Sequence, residues 1–103
     1  VYLAHNQTVC TEDCTITVSA TSDGWQLDWN SVFRPDGNAF WFGDQEEMGL
    51  GVRVATPLAV VKGGEILNSD GRKNGAQAWG RQADWCRYGG VIDGRNVGVA
   101  LLP

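Results

Sequence analysis

The sequence predicts an all-β protein, an antiparallel β-sandwich with essentially no helix. Three observations carry this. Apolar side chains recur with a period of two, the mark of half-buried strands. The dipeptide Asp-Gly occurs four times, at Asp23-Gly24, Asp36-Gly37, Asp70-Gly71 and Asp93-Gly94, and each favours the positive φ of a tight reversal. Fourteen glycines stand against three prolines, a turn-rich composition, and no eleven-residue window holds a helical stripe.

Taken in order, the chain opens on strand-like Val1-Tyr2-Leu3. Ile16, Val18 and Ala20 alternate with Thr15, Thr17 and Ser19, and Asp23-Gly24 turns the chain back. Trp25, Leu27, Trp29 and Phe33 then alternate with polar Gln26, Asp28, Asn30 and Arg34. Asp44 to Glu47 has room for one helical turn. Met48, Leu50, Val52 and Val54 alternate with Gly49, Gly51 and Arg53, which predicts another strand, ended or bent by Pro57. Lys62-Gly63-Gly64 has the composition of a hairpin loop, and Gly71 to Gly75 reads as a loose exposed loop. Val97, Val99 and Leu101 form the last alternating run.

At 103 residues the chain allows a single domain over 1–103, burying about 65% of its unfolded surface. An apolar share of 43% with five Trp excludes disorder. A net charge of −4 with eight Lys and Arg excludes the basic face that nucleic acid requires. No apolar run approaches the roughly 20 residues of a membrane span. The abrupt ends read as those of a segment cut from a longer sequence, with at least one sheet edge built to be covered. Of the three cysteines, Cys10 and Cys14 flank Thr11-Glu12-Asp13, where a small-loop disulfide is open. Cys86 reads as a small core residue. His5, Cys10 and Cys14 lack a fourth metal ligand, so neither a metal nor another cofactor is expected. Asn6-Gln7-Thr8 fits the N-glycosylation pattern.

Two stretches carry candidate chemistry. In Phe42 to Val54 three acids precede a glycine-rich run. Strand parity there puts Glu47, Gly49, Gly51 and Arg53 on one face, a trough floored by glycine and edged by Arg53, with Asp84 or Asp28 as its partner. The alternative is a packing face with Arg53 in a structural ion pair. In Trp79 to Tyr88, two Trp, a Tyr, two Arg and an Asp fall within ten residues. Aromatic faces stack on sugar rings while Arg, Asp and Gln grip hydroxyls; the alternative is that Trp79 and Trp85 anchor the core. Glu46 or Glu47 with Asp84 would supply paired carboxylates for acid–base work. No nucleophile elbow, phosphate-binding glycine loop or zinc helix occurs.

The run Phe42-Gly43-Asp44-Gln45-Glu46-Glu47-Met48-Gly49-Leu50-Gly51-Val52-Arg53-Val54 resembles the signature of a bacterial family of unknown function known as methane oxygenase PmoA. Ala55-Thr56-Pro57-Leu58, Asn68 to Arg72, Trp79-Gly80, Ala83-Asp84-Trp85 with Tyr88, and Ile92 to Arg95 with Val97 to Ala100 resemble its later blocks. The resemblance runs from about Ser22 to Pro103. It implies a large β-sandwich of the sugar-binding kind about three times this length, with this chain as its middle. It also implies a link to polysaccharide breakdown and a secreted or periplasmic location. A particulate methane monooxygenase subunit crosses the membrane and a copper or iron site draws on several His; this sequence has one His and no spanning stretch.

Three functions are thereby expected to compete. The first is a carbohydrate-active protein with Glu46, Glu47 and Asp84 catalytic and Arg53, Arg72, Trp79 and Trp85 holding a saccharide. The second is a non-catalytic carbohydrate-binding module using the same residues. The third is a structural β-sandwich segment. The expected partners are a saccharide and the rest of a parent chain, without nucleic acid or a membrane span.

Overall fold

A computed structural model describes residues 1–43 and 49–102. The chain divides into two units, Val1–Met48 and Gly49–Pro103. Each carries one antiparallel three-stranded sheet, so the all-β antiparallel class read from the alternation is what forms. No helix among the described residues is long and apolar enough to cross a membrane.

The first unit is a meander of β1 (Tyr2–Ala4), β2 (Gln7–Ala20) and β3 (Trp25–Pro35). The β1–β2 reversal is two residues, His5 and Asn6, at φ 50° and 63°. Positive φ at both central positions is the backbone of the hairpin turn whose twist matches that of its strands. The lone histidine is thus a turn residue. Thr21 to Gly24 closes β2 onto β3, with the Thr21 N–H donating to the Gly24 carbonyl at 2.9 Å. Glu12 accepts from Tyr2 Oη and Ser31 Oγ, each at 2.6 Å. These bonds, Ser31's first, hold its carboxyl below the usual range, and Glu12 in turn raises the Tyr2 phenol. Tyr2, Phe33, Phe42 and Phe40 form a chain of rings with centroids 4.9–5.8 Å apart, the Phe33–Phe42 and Phe42–Phe40 pairs edge-to-face and Tyr2 tilted on Phe33, within the favoured aromatic spacing.

The small-loop disulfide does not form, and all three cysteines are free. Thr11-Glu12-Asp13 lies inside β2 rather than in a turn. Four residues of strand separate Cys10 from Cys14 by about 13 Å, twice the reach of a disulfide. Cys10 is instead a buried packing residue, 1% exposed.

The second unit contains two single 3-10 turns (Thr56–Leu58 and Val60–Lys62), β4 (Glu65–Asn68), α1 (Asn74–Ala78), β5 (Cys86–Ile92) and β6 (Arg95–Leu101), with sheet order β4-β5-β6. Asp93 and Gly94, at φ 51° and 74°, make the β5–β6 turn. Leu58, a buried apolar side chain here, lies against Gly90, and its backbone lies against Gly64. The Val60 N–H donates to Tyr88 Oη at 3.2 Å, fixing the 3-10 turns to β5.

Three sequence expectations change. Gly49 to Ala55 carries no strand. Gly49 sits at φ 96°, and a run of alternating residues without a ladder partner has nowhere to place its backbone hydrogen bonds. Met48 and the expected helical turn at Asp44 to Glu47 lie outside the described residues. Lys62-Gly63-Gly64 is the end of a 3-10 turn, with Gly63 at φ 99° as its cap, not a hairpin loop. Gly71 to Gly75 is only partly loose, since Lys73 pairs with Leu67 and Asn74 opens α1.

Candidate functional site

Register sorts the side chains of the second sheet. Glu65 lies opposite Gly89, Gly89 opposite Gly98, Arg87 opposite Ala100 and Val91 opposite Asn96. Directly paired residues point to the same side. Glu65, Arg87, Gly89, Asn96, Gly98 and Ala100 therefore share one face, and they line a shallow open depression of about 480 Å³. Lys73, bridged to Leu67, brings a second cation to that face. The opposite face carries Ile66, Tyr88, Gly90 and Ile92, all half-buried.

The floor is flat because two paired positions have no side chain. A Cβ on Gly98 would come within 2.6 Å of the Tyr88 carbonyl oxygen and 3.0 Å of Gly89 Cα. One on Gly89 would meet the Val97 carbonyl oxygen at 3.2 Å. Close approach of β5 to β6 thus calls for glycine at Gly98 and leaves little space for a side chain at Gly89, and the two glycines open the surface above them.

The rim is charged. Lys73 Nζ donates to Glu65 Oε2 at 2.9 Å and Arg87 Nη2 to Glu65 Oε1 at 3.2 Å. The Lys73 hydrogen bond first, then its charge and that of Arg87, hold the Glu65 carboxyl below its usual 4.5. All three side chains are part-exposed, so solvent screens the pairs and their contribution to stability is small. Its sign is fixed. A lowered folded-state pKa adds stability above the unfolded value and loses it as pH falls through the folded one. The difference in urea midpoint between the native chain and Glu65→Gln is therefore expected to be largest at neutral pH and to shrink as the pH drops below 4.5.

The residues expected at the site from sequence divide into four groups, with Trp79 standing apart from the other three. Glu46 and Glu47 lie outside the described residues. Arg53 is exposed on the irregular stretch after Gly49, and among the described residues no ion pair joins it to Asp84. The expected glycine trough beside Arg53 is thus absent there, because without a strand there is no parity to gather its side chains. Arg72, Asp84 and Trp85 do converge, on a loop cluster organised by Asn68.

Asn68 is 2% exposed. Its Oδ1 accepts from the Asp70 and Arg72 N–H groups at 3.1 and 2.9 Å, and its carbonyl accepts from Gly71 N–H at 3.0 Å. This is the self-closing turn that Asn favours. Ser69 N–H donates to the Trp85 carbonyl at 3.1 Å, and Asp84 N–H to Ser69 Oγ at 2.9 Å. Arg72 Nη1 reaches Asp70 Oδ2 at 2.6 Å and the Gln82 carbonyl at 3.4 Å. Trp85 is half-buried, whereas Trp79, just past α1, is 71% exposed and does not anchor a core. Cys86 is half-buried at the start of β5.

Glu65 and Lys73 escaped the sequence reading, and Arg87 entered it only as one of the two Arg of Trp79 to Tyr88, because the three stand 8 and 22 residues apart in segments with no alternation. Only the β4–β5 pairing unites them. The available signal was Gly89-Gly90 between apolar neighbours, which reads equally well as a turn. Among the described residues no group of three His, Cys, Asp or Glu is placed to hold a metal.

No curated protein and no solved structure matches the chain. A family model described as a family of unknown function (DUF6807) matches residues 2–103.

Proposed function

The chain belongs to the DUF6807 family of unknown function, and from its own surface we propose that it is a carbohydrate-associated protein whose β4–β6 face binds a saccharide without turning it over. The observation that carries this is the open glycine floor with Glu65, Arg87, Lys73 and Asn96 around it. A sugar ring offers flat C–H faces and equatorial hydroxyls. A floor without side chains admits the ring, and hydroxyls find a carboxylate acceptor, guanidinium and ammonium donors, and an amide that does both. The depression's volume lies within the range of small-molecule sites.

Binding is favoured over acid–base processing by the state of Glu65. A general acid needs a raised carboxyl pKa, and two cations hold this one down. Asp84, reserved for catalysis in the enzyme reading, is not among the described residues that line the depression. Secretion or periplasmic residence belongs to the same proposal, as the setting in which a polysaccharide-binding surface meets its ligand.

The test is a glycan array of neutral and uronic-acid-containing oligosaccharides, probed with the native chain and with Arg87→Ala. Retention of one glycan class, weakened about ten-fold by Arg87→Ala (the loss of one charge-assisted hydrogen bond), supports the reading. No retention, or equal retention by both, contradicts it.

A further inference from the structure

We infer that one face of the β2–β3 ribbon is an interface, and that it is occupied by the same face of a second copy of this chain. The register pairs Ile16 with Trp29, Val18 with Leu27 and Ala20 with Trp25. Directly paired residues share a face, so these six side chains lie together. The other face takes Asp13 with Val32, Thr15 with Asn30, Thr17 with Asp28 and Ser19 with Gln26. The ribbon is amphipathic, yet its apolar side is open: Trp25 is 78% exposed, Val18 57%, Leu27 56%, Trp29 51% and Ile16 49%.

β1 reaches only as far as Cys10. Among the described residues β3 is the one strand paired with β2 from Thr11 onward, and a two-stranded ribbon alone is marginal in water. It needs a second layer against its apolar side. With typical side-chain areas the five residues expose about 600 Å², at the upper end of what monomers show. Two such faces meeting bury about 1,200 Å², where stable interfaces begin.

Charge selects the partner. The chain carries −4, so two copies repel over most of their surfaces. From Cys14 to Ser31 the apolar face holds no Asp, Glu, Lys, Arg or His, its nearest charge being Glu12 one pair beyond, whereas the opposite face holds Asp28 within that span. A charged partner gains nothing from such a face, and two acidic copies meet there without a like-charge cost. Face-to-face stacking about 10 Å apart yields a four-stranded sandwich with two-fold symmetry. A saccharide is the poorer occupant, because Ile16, Val18 and Leu27 leave its hydroxyls without partners.

Sedimentation of the whole chain tests this, at about 50 μM, comparing the native protein with Leu27→Asp and Asn30→Asp. The two variants add the same charge to opposite faces. The expected result is a native dimer, a dissociation constant raised about ten-fold or more by Leu27→Asp, and little change from Asn30→Asp. Should Leu27→Asp disturb the strand signal in circular dichroism, Trp25→Ser at the exposed end of the ribbon takes its place. A native chain that stays monomeric at this concentration overturns the inference. So does equal weakening by both charge variants.

Discussion

Gly64→Ala is expected to unfold the second unit's 3-10 turns from its sheet and to cost about 3 kcal/mol or more. Gly64 is buried between Leu58 and Gly90. A Cβ built there falls on the backbone carbonyl oxygen of Leu58. Backbone cannot swing aside as a flexible side-chain end can, so the Thr56–Lys62 segment must lift off β5. That would break the bond from Val60 N–H to Tyr88 Oη and expose Leu58. Thermal unfolding is expected to shift downward by about 12 °C or more, at 4–8 °C per kcal/mol for a domain of this size. Gly75→Ala is the matched control. It lies inside α1 with nothing within 4 Å of its added Cβ, and alanine there should be neutral or mildly stabilising.

Asn68→Ala is expected to be nearly as damaging, at about 2–4 kcal/mol. The substitution removes the acceptor of two backbone N–H groups, those of Asp70 and Arg72, in a place closed to water. Unpaired buried donors cost their full desolvation. Because Asn68 shapes the loop that meets Ser69, Gln82, Asp84 and Trp85, the loss should spread along 82–85. Hydrogen exchange is the suitable readout. The Ser69, Arg72 and Asp84 amides are expected to lose protection, while Gly98 and Val99 amides in β6 keep theirs. Asn68→Asp retains an acceptor and should recover part of the loss. Uniform loss of protection across the unit would mean that Asn68 holds the whole sheet rather than the loop.

These sites show where the sequence was legible. Each Asp-Gly pair lies at a reversal or a strand end, and at Gly37, Gly71 and Gly94 the expected positive φ is present, whereas Gly24 turns the chain without it. β2, β3 and β6 follow from alternation, since each has a long partner to complete its ladder. The stretch from Gly49 to Val54 shows the limit of the same signal. Alternation states which side chains would share a face if a strand formed, but a strand needs a second strand. β5 is the converse case. Its Gly89-Gly90 looks like a turn, yet both glycines are in strand, where β6 and Leu58 leave only tight space for a Cβ. The glycine floor with a charged rim that does form lies on β5 and β6 with Glu65, Lys73 and Arg87, a place the sequence reading did not single out. Of the seven residues expected at the site, Arg72, Asp84 and Trp85 share one loop cluster, drawn together by backbone hydrogen bonds that no side-chain pattern announces.

The most direct measurement follows the glycan array. The retained oligosaccharide is titrated into the uniformly ¹⁵N-labelled chain and the amide shifts are mapped. Saccharide recognition on the β4–β6 face predicts saturable shifts at Gly89, Asn96, Gly98 and Arg87, abolished in Arg87→Ala, with the amides of Thr15 to Asn30 unmoved. Shifts confined to the neighbourhood of Trp79 or Arg53, or none at all at millimolar ligand, would contradict it.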